Sequence, residues 1–313
     1  MEKFKNMCRM SQKQLKKYAA KKLRKAYEEV VSGDGYVFAK GTFPVLLVAH
    51  LDTVHKQLPS SILYDAKNDT LSSLNGIGGD DRCGVYMILE VIKEYKCSVL
   101  FCEDEEIGCV GADKFIKTEL AKSLVGKFNY IIEFDRKGKN DAVFYDCDNP
   151  EFEKFITGDF YKTAYGSYSD ITVIAPALGC AAVNLSCGYY NAHTTKEYVV
   201  LSEMEMSIMK ACKILERTTD ANVFEYIEAK YPANSWYEDY GFTGSYFSGY
   251  YGKSYISSEE KCYIVEYEDQ NGNYQMCEVE ARSEYEAIGM FLCDYPDLTY
   301  NHIANIFYDN VKS

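Results

Sequence analysis

Short, continuous apolar runs alternate with stretches of helical periodicity over residues 36–217 of this sequence. An uninterrupted apolar run is typical of a strand buried on both faces, as in parallel sheets that are covered by helices. The predicted strands are Tyr36–Ala39, Val45–Ala49, Cys97–Cys102, Tyr130–Phe134, Asp141–Tyr145 and Cys180–Leu185. The predicted amphipathic helices are Arg82–Tyr95, Gly111–Ser123 and Leu201–Arg217. This alternation predicts an α/β fold with a mixed, largely parallel central sheet flanked by helices.

Both ends of the chain differ in composition from this alternating region. Residues 3–31 carry apolar positions at helical spacing with Lys and Arg between them, so we expect one basic N-terminal helix. Its charged side is expected to be a solvated outer face, and the alternative is a surface that binds an acidic partner. Residues 221–257 are rich in Tyr and Gly and are predicted to form a linker or loop, which leaves residues 1–220 as the main domain.

The last part of the chain, residues 258–313, is predicted to be a small α+β module. Tyr263–Glu268 and Tyr274–Glu280 have strand character and flank Asn271-Gly272, a frequent hairpin turn. A helix with a capping-box pattern at its start is predicted at Ser283–Cys293. The module has no cluster of His, Cys and carboxylates that would indicate catalysis.

The formal net charge of -13 is unevenly distributed, because residues 1–25 hold ten Lys/Arg and one Glu and leave -22 on the rest. This strongly acidic remainder of the chain argues against nucleic acid as the main partner, since phosphate binding requires a basic surface. No apolar run is long enough for a transmembrane helix, and no apolar stretch follows the basic N-terminus as in a secretory signal. We therefore expect a cytoplasmic protein without a membrane partner, whose twelve Cys are reduced.

The few His and the clustered acids fall directly after predicted strands. His50 follows Val45–Ala49 in the segment HLDTV, and Asp52 is close enough to accept the second imidazole N–H. Taken alone, His50 is more typical of a satisfied core or capping residue. In GIGGDDRCG, residues 76–84, two Asp stand in a Gly-rich turn that begins a helix, and N-capping would explain only one of them.

Three further strand ends add to this set. The segment EDEEIG, residues 103–108, follows Cys97–Cys102, and four successive acids there are costly unless a cation offsets them. A solvated charged loop is the alternative. Asp135 follows another predicted strand, and His193 lies in NLSCGYYNAHTTKEYV, residues 184–199. Together the five strand ends supply two His and several carboxylates, a plausible ligand set for two zinc ions if one carboxylate bridges them.

The remaining His and two Cys beside these segments are assigned structural roles. His55 and His302 are predicted to be ordinary surface or packing residues. Cys83 and Cys109 are predicted to be small core residues.

The segments HLDTV, GGDDRCG, DEEIG and NxHxxxEYV jointly resemble the co-catalytic di-zinc exopeptidases, the clan of peptidase T, the single-domain zinc aminopeptidases and the N-acyl amino acid deacylases. The resemblance covers about residues 40–217 and implies a metallopeptidase catalytic domain in residues 1–220. In peptidase T and the deacylases a lid or dimerisation domain follows the equivalent of Asp135. Here only about thirty-five residues separate Asp135 from Asp170, so the lid domain is absent.

The resemblance also implies a role for each site residue. His50 and Asp135 would hold one metal, Glu106 and His193 the other, and Asp80 would bridge them. The Asp80–Asp81 peptide is expected to be cis, Asp52 would orient His50, and Glu105 would be the general base. Zinc is the default for both divalent ions, with cobalt or manganese as alternatives.

The function expected from this resemblance is the removal of N-terminal residues from short peptides. The alternatives are an N-acyl amino acid deacylase or amidohydrolase, and a non-catalytic protein that binds metal or peptide. A monomer is favoured because the usual dimerisation domain is lacking.

Overall fold

The computed structural model describes residues 1–158, 160–164, 166, 168–229, 261–269, 273–281, 287, 291, 295 and 303–308. The chain divides into two compact units, Met1–Lys230 and Tyr231–Ser313. The first unit contains every candidate site residue.

An eight-stranded mixed sheet forms the centre of the first unit. Its strands are β1 (Val30–Gly33), β2 (Tyr36–Ala39), β3 (Phe43–His50), β6 (Cys97–Cys102), β7 (Tyr130–Arg136), β8 (Asp141–Val143), β9 (Lys162–Ala164) and β10 (Ala182–Ser186), in the order β1-β2-β6-β3-β7-β10-β8-β9. The four central strands β6, β3, β7 and β10 are parallel to one another. The neighbours β2 and β8 pair with them in the antiparallel direction. The predicted mixed, largely parallel sheet is therefore confirmed.

Helices cover both faces of this sheet. They are α1 (Glu2–Cys8), α2 (Gln12–Leu23), α3 (Gly79–Val91), α4 (Val110–Ile116), α5 (Glu119–Ser123), α6 (Pro150–Thr157), α7 (Asp170–Leu178) and α8 (Leu201–Glu216). Successive residues of a strand point to opposite faces. Leu47 and Ala49 accordingly pack with residues of α1, α2, α3, α6 and α8, whereas Leu46 and Val48 pack with residues of α4, α5 and α7. Among the described residues, no helix is both long and apolar enough to cross a membrane.

A second, antiparallel sheet was not predicted from the sequence. Its strands are β4 (Leu63–Asp65), β5 (Thr70–Ser72), β11 (Tyr189–Tyr190) and β12 (Tyr198–Val200), in the order β11-β12-β5-β4. Two or three residues give too little alternation for a sequence pattern to reveal them. This sheet matters for the site because the loop between β11 and β12 carries His193.

Two predicted helices are wrong in their extent. The helix expected over residues 3–31 is two helices followed by β1, because Ser11 and Gln14 form a capping box that starts α2. The helix expected at Gly111–Ser123 is divided into α4 and α5, because Thr118 caps the second of them through the backbone N–H of Ala121. The sequence interpretation also missed α6 and α7.

The second unit contains the predicted hairpin. Its strands β13 (Lys261–Glu268) and β14 (Tyr274–Ala281) are antiparallel, and Glu268 pairs with Tyr274 beside the turn. A third strand, β15 (Ile303–Tyr308), pairs with the other edge of β13 and was not predicted. Within the predicted helix Ser283–Cys293, the described residues are Ala287 and Phe291, which are helical and pack against Val265, Tyr267 and Val279. The rest of that helix and most of the predicted linker lie outside the described residues, as does His302.

Candidate metal centre

Three adjacent parallel strands place most of the candidate ligands at one edge of the central sheet. His50 is the last residue of β3, Glu105 and Glu106 follow β6, and Asp135 lies near the end of β7. The carboxyl ends of parallel strands meet at the same edge, where sites in α/β sheets form. Asp80 reaches this edge from the start of α3. All of these residues therefore converge, as the sequence predicted.

The candidate ligands fall into two groups that share Asp80. In the inner half of the centre, His50 Nε2 lies 2.9 Å from Asp80 Oδ1 and 3.3 Å from Asp135 Oδ1. In the outer half, His193 Nε2 lies 3.2 Å from Asp80 Oδ2 and 3.1 Å from Glu106 Oε2. Each oxygen of the Asp80 carboxylate thus faces a different half, which is the arrangement expected of a bridging ligand.

Asp52 joins the inner half to the loop that carries Glu105 and Glu106. Its Oδ1 lies 3.1 Å from His50 Nδ1 and accepts a 3.0 Å hydrogen bond from the backbone N–H of Glu105. Its Oδ2 accepts a 3.0 Å hydrogen bond from the N–H of Glu106. Burial opposes ionisation, but these hydrogen bonds lower the pKa of Asp52. An ionised Asp52 can orient His50 and fix its tautomer.

The turn that carries Asp80 is held by a fully buried carboxylate that the sequence interpretation missed as a site residue. Glu197 accepts hydrogen bonds from the backbone N–H groups of Gly78, at 2.7 Å, and Asp80, at 3.0 Å. Its Oε2 also lies 2.7 Å from Nε2 of His55. The packing role predicted for His55 is therefore specific, since it contacts the carboxylate that positions Asp80. The signal for Glu197 was its place in the NxHxxxEYV segment, whereas nothing in the sequence marked His55.

The peptide bond between Asp80 and Asp81 is cis, as predicted from the resemblance. The carboxylates of Asp80 and Asp81, on either side of this bond, make different contacts. Asp81 is buried and accepts hydrogen bonds from the backbone N–H groups of His50, at 3.2 Å, and Gly84, at 2.8 Å. Asp81 therefore fixes the start of α3 against β3, and Asp80 is left to face the two His.

Asp135 has its own set of supporting contacts, none of which was predicted. Asn184 accepts a 2.9 Å hydrogen bond from the Asp135 N–H and donates one of 3.2 Å to the Asp135 carbonyl. The Tyr189 hydroxyl donates to the same carbonyl at 3.0 Å. The Ser169 hydroxyl bonds to Glu133 and lies 3.3 Å from Asp135 Oδ2. The sequence did offer one signal for these contacts, the polar Asn184 inside the apolar run of β10. Burying an amide is costly unless it is hydrogen-bonded, so a polar partner for Asn184 was to be expected.

Glu105, the predicted general base, is buried between the two halves. Its Oε1 lies 3.9 Å from the thiol of Cys109, so Cys109 contacts the site and is not merely a core residue. Burial, together with the carboxylates of Asp135 and Asp170, raises the pKa of Glu105 to about 10 against the opposing effect of His50. Positive charge brought to this cluster would lower that pKa and favour the carboxylate.

The donor set fits divalent cations. Hydrogen bonds to Asp80 and Glu106 raise the pKa of His193 to about 11. Burial opposes protonation of His50, but the carboxylates of Asp135, Asp52 and Asp80 raise its pKa nonetheless. Protonated imidazoles thus provide the positive charge that these carboxylates require, and cations at the same nitrogen atoms would replace those protons. Glu106 Oε1 is buried and has no hydrogen-bond partner among the described residues, which leaves it free to serve as a further ligand atom.

The comparisons with known proteins agree with the family and the fold expected from the sequence. Residues 37–174, which include four of the five candidate ligands, match the model of peptidase family M28. No curated protein sequence matches the chain. Among solved structures, aminopeptidase PepT from Bacillus cereus aligns with a TM-score of 0.57 at 15% identity, over 69% of this chain and 96% of that one. An aminopeptidase from the archaeon Desulfurococcus kamchatkensis aligns with a TM-score of 0.55 at 14% identity, over 71% and 96%.

A TET1 structure with a dodecamer in its asymmetric unit aligns with a TM-score of 0.51 at 15% identity, over 67% of this chain and 97% of that one. At such identities these structures show the fold alone. The family match adds that residues 37–174 resemble a family of peptidases. The predicted resemblance is confirmed: this chain is similar to the co-catalytic zinc exopeptidases, and its residues 37–174 carry the pattern of peptidase family M28.

Proposed function

We propose that this chain is an aminopeptidase that removes N-terminal residues from short peptides with the help of two bound metal ions. The family match and the aminopeptidase folds support a metal-dependent peptidase. The observation that carries the finer proposal is the pair of ligand groups, His50–Asp80–Asp135 and Asp80–Glu106–His193, which share one carboxylate. A buried Glu105 beside both groups completes the arrangement.

In this proposal His50 and Asp135 would hold one ion, Glu106 and His193 would hold the other, and Asp80 would be shared between them. Two His with three carboxylates suit zinc, and cobalt or manganese would also be accepted. When bound, such ions polarise the scissile carbonyl and lower the pKa of the attacking water. The positioning contacts of Asp52, Asn184 and Glu197 keep the ligand atoms in place before any ion or substrate arrives.

Glu105 is the residue that moves the proton. Its carboxylate accepts a proton from the attacking water and then delivers it to the nitrogen of the leaving amine. Asp52 supports this step because it accepts a hydrogen bond from the backbone N–H of Glu105. Asp52 therefore ties the backbone of Glu105 and Glu106 to His50.

The first experiment compares two substrates with zinc-loaded protein, a tripeptide with a free N-terminus and the same tripeptide N-acetylated. Release of the first residue from the free peptide alone is the expected result. Release of acetate from the acetylated peptide alone would instead assign an N-acyl amino acid deacylase. Cleavage of neither peptide by protein that contains two ions would overturn the proposal and favour a metal- or peptide-binding role.

A Glu105→Gln variant tests the base. General bases contribute about 10²- to 10⁴-fold, so kcat should fall by about that factor while the metal content stays unchanged. Glu119→Gln is the matched control, because Glu119 is exposed and pairs with Lys122 in its own short helix. Undiminished turnover of Glu105→Gln would show that another group takes the proton.

Cytoplasmic location and the monomeric state remain predictions. The segment between Asp135 and Asp170 forms β8, α6 and β9 in its described residues, which agrees with the absence of a lid domain. The TET1 structure has a dodecamer in its asymmetric unit, so a larger assembly is the alternative to the monomer. Size-exclusion chromatography with light scattering would decide between one subunit and many.

A further inference from the structure

The N-terminal helix α2 turns one polar side towards the EDEEIG loop, residues 103–108, which carries Glu105 and Glu106. Lys16 Nζ forms an ion pair with Glu103 and donates a 2.8 Å hydrogen bond to the carbonyl of Gly33. One turn earlier, Gln12 Nε2 donates a 2.8 Å hydrogen bond to Asp104 Oδ1. Two successive residues of the loop are thus held by one face of α2, directly before Glu105.

Lys16 is less exposed than two other lysines of the same helix, Lys13 and Lys17. The side chains of Lys16 and Glu103 are only 17% and 16% exposed. Lys13 and Lys17, by contrast, are exposed and have no described ion pair or hydrogen bond. Partly buried ion pairs are less screened than surface pairs, which contribute little. The solvated outer face predicted from the sequence therefore describes Lys13 and Lys17 but not Lys16.

The EDEEIG loop has a backbone that requires such support. Asp104 has a φ of 61° and Cys109, directly after the loop, has a φ of 53°, both in the left-handed region. Non-glycine residues in that region persist when surrounding contacts determine their conformation. Gln12 supplies one such contact at the Asp104 side chain, while the Asp104 carbonyl accepts a 3.0 Å hydrogen bond from the N–H of Val110.

A second link runs from the turn between α1 and α2 to the segment after β3. The buried guanidinium of Arg82 donates through Nη2 to the Met10 carbonyl at 3.2 Å and through Nη1 to the Asp52 carbonyl. Asp52 in turn accepts hydrogen bonds from the backbone of Glu105 and Glu106. The N-terminal segment thus reaches the EDEEIG loop by two separate routes. One holds Glu103 and Asp104 directly, and the other leads through Arg82 and Asp52 to the backbone of Glu105 and Glu106.

We propose that Gln12 and Lys16 are positioning residues of the centre, which hold the EDEEIG loop so that Glu105 and Glu106 keep their places relative to Asp80 and His193. Both residues lie outside residues 37–174, which match the family model, so this support comes from the chain's own N-terminal segment. The effect on catalysis rests on the proposed function, whereas the effect on loop structure does not.

The experiment uses the full-length, zinc-loaded chain and the variants Lys16→Met and Gln12→Leu. Hydrogen–deuterium exchange should become at least about 10-fold faster at the amides of residues 103–111, because their opening no longer breaks contacts with α2. The kcat for a tripeptide should fall by about 10-fold with KM little changed, within the hundredfold that a misplacement of about 1 Å can cost. Lys16→Arg, which can still pair with Glu103, should restore both readouts.

Lys13→Met and Lys17→Met are matched controls, since each removes one positive charge from the same helix without touching the loop. If they accelerate exchange at residues 103–111 as much as Lys16→Met does, general charge loss is responsible and the proposal is wrong. Wild-type exchange and kcat in both Lys16→Met and Gln12→Leu would also overturn it. A wild-type chain that cleaves no peptide would refute the proposed function alone, because exchange at the loop still tests the positioning role.

Discussion

The two halves of the candidate metal centre are built differently although they share Asp80. In the inner half His50 is the last residue of a central strand and its side chain is 1% exposed. Asp135 is held there by Asn184, Tyr189 and Ser169. In the outer half His193 lies in a loop, has a φ of 64° and keeps 56% of its side chain exposed.

This difference indicates how the two halves divide their work. Ligands whose own positions are fixed by neighbouring groups bind a metal more tightly, since less ordering is needed on binding. The inner half is therefore the better prepared site, and the outer half is the more open one. An exposed His193 leaves room for a substrate to approach from its side, whereas the buried His50 does not.

Removing one imidazole from each half should give different metal contents. We expect His193→Ala to retain one tightly bound ion in the inner half, and His50→Ala to retain none, because the outer half alone is too mobile. Peptide cleavage should fall by about 10³-fold or more in both variants, which corresponds to about 4 kcal/mol of barrier. Metal analysis after dialysis, combined with calorimetric titration, measures the contrast. Equal metal content in the two variants would show that the halves are equivalent.

The hydroxyl groups beside each half provide a smaller and more specific contrast. Ser169→Ala removes the hydroxyl 3.3 Å from Asp135 Oδ2, and Thr194→Ala removes one that accepts a hydrogen bond from the backbone of Lys196 in the His193 loop. Loss of such supporting partners typically weakens metal binding by about 10- to 100-fold. Ser169→Ala should weaken the tighter of two binding steps and Thr194→Ala the weaker one. If Ser169→Ala changes only the weaker step, the assignment of the tight site to the inner half is incorrect.

The parts of this centre that the sequence predicted are those with local signals. His50 and Asp135 stand at the ends of apolar runs, and the acids around Glu105 stand after another, so strand ends alone placed them together. The supporting residues come from distant segments: Glu197 contacts His55 across 142 positions, and Lys16 contacts Glu103 across 87. No pattern in a single sequence links such pairs, because only the packed fold brings them into contact. The division of the N-terminal helix is a different failure, since Ser11 and Gln14 carried a local capping signal.

The smallest expected effect concerns Asp170, a buried acid on the inner side, and is measured by the pH dependence of stability. Burial, with a further contribution from the carboxylates of Asp52 and Asp135, raises the pKa of Asp170 from 3.8 to about 7 despite His50 and the Cys102 thiol. A group whose pKa is raised in the folded state stabilises the fold fully below its unfolded pKa, and that stabilisation is lost as the pH rises through the folded value. The metal-free protein should therefore lose Tm between about pH 4 and about pH 7, by roughly 10 °C, since each pKa unit is about 1.4 kcal/mol and each kcal/mol corresponds to about 2–4 °C in a domain of this size. The isosteric variant Asp170→Asn cannot ionise, so its Tm should change less over the same range and exceed that of the wild type at the upper end.

Bound zinc should reduce the slope in the wild type, because positive charge at Asp135 and His50 favours the ionised carboxyl. Thermal unfolding followed by circular dichroism measures all three curves, and an equal slope in wild type and Asp170→Asn would show that the buried acid of the inner side does not control stability.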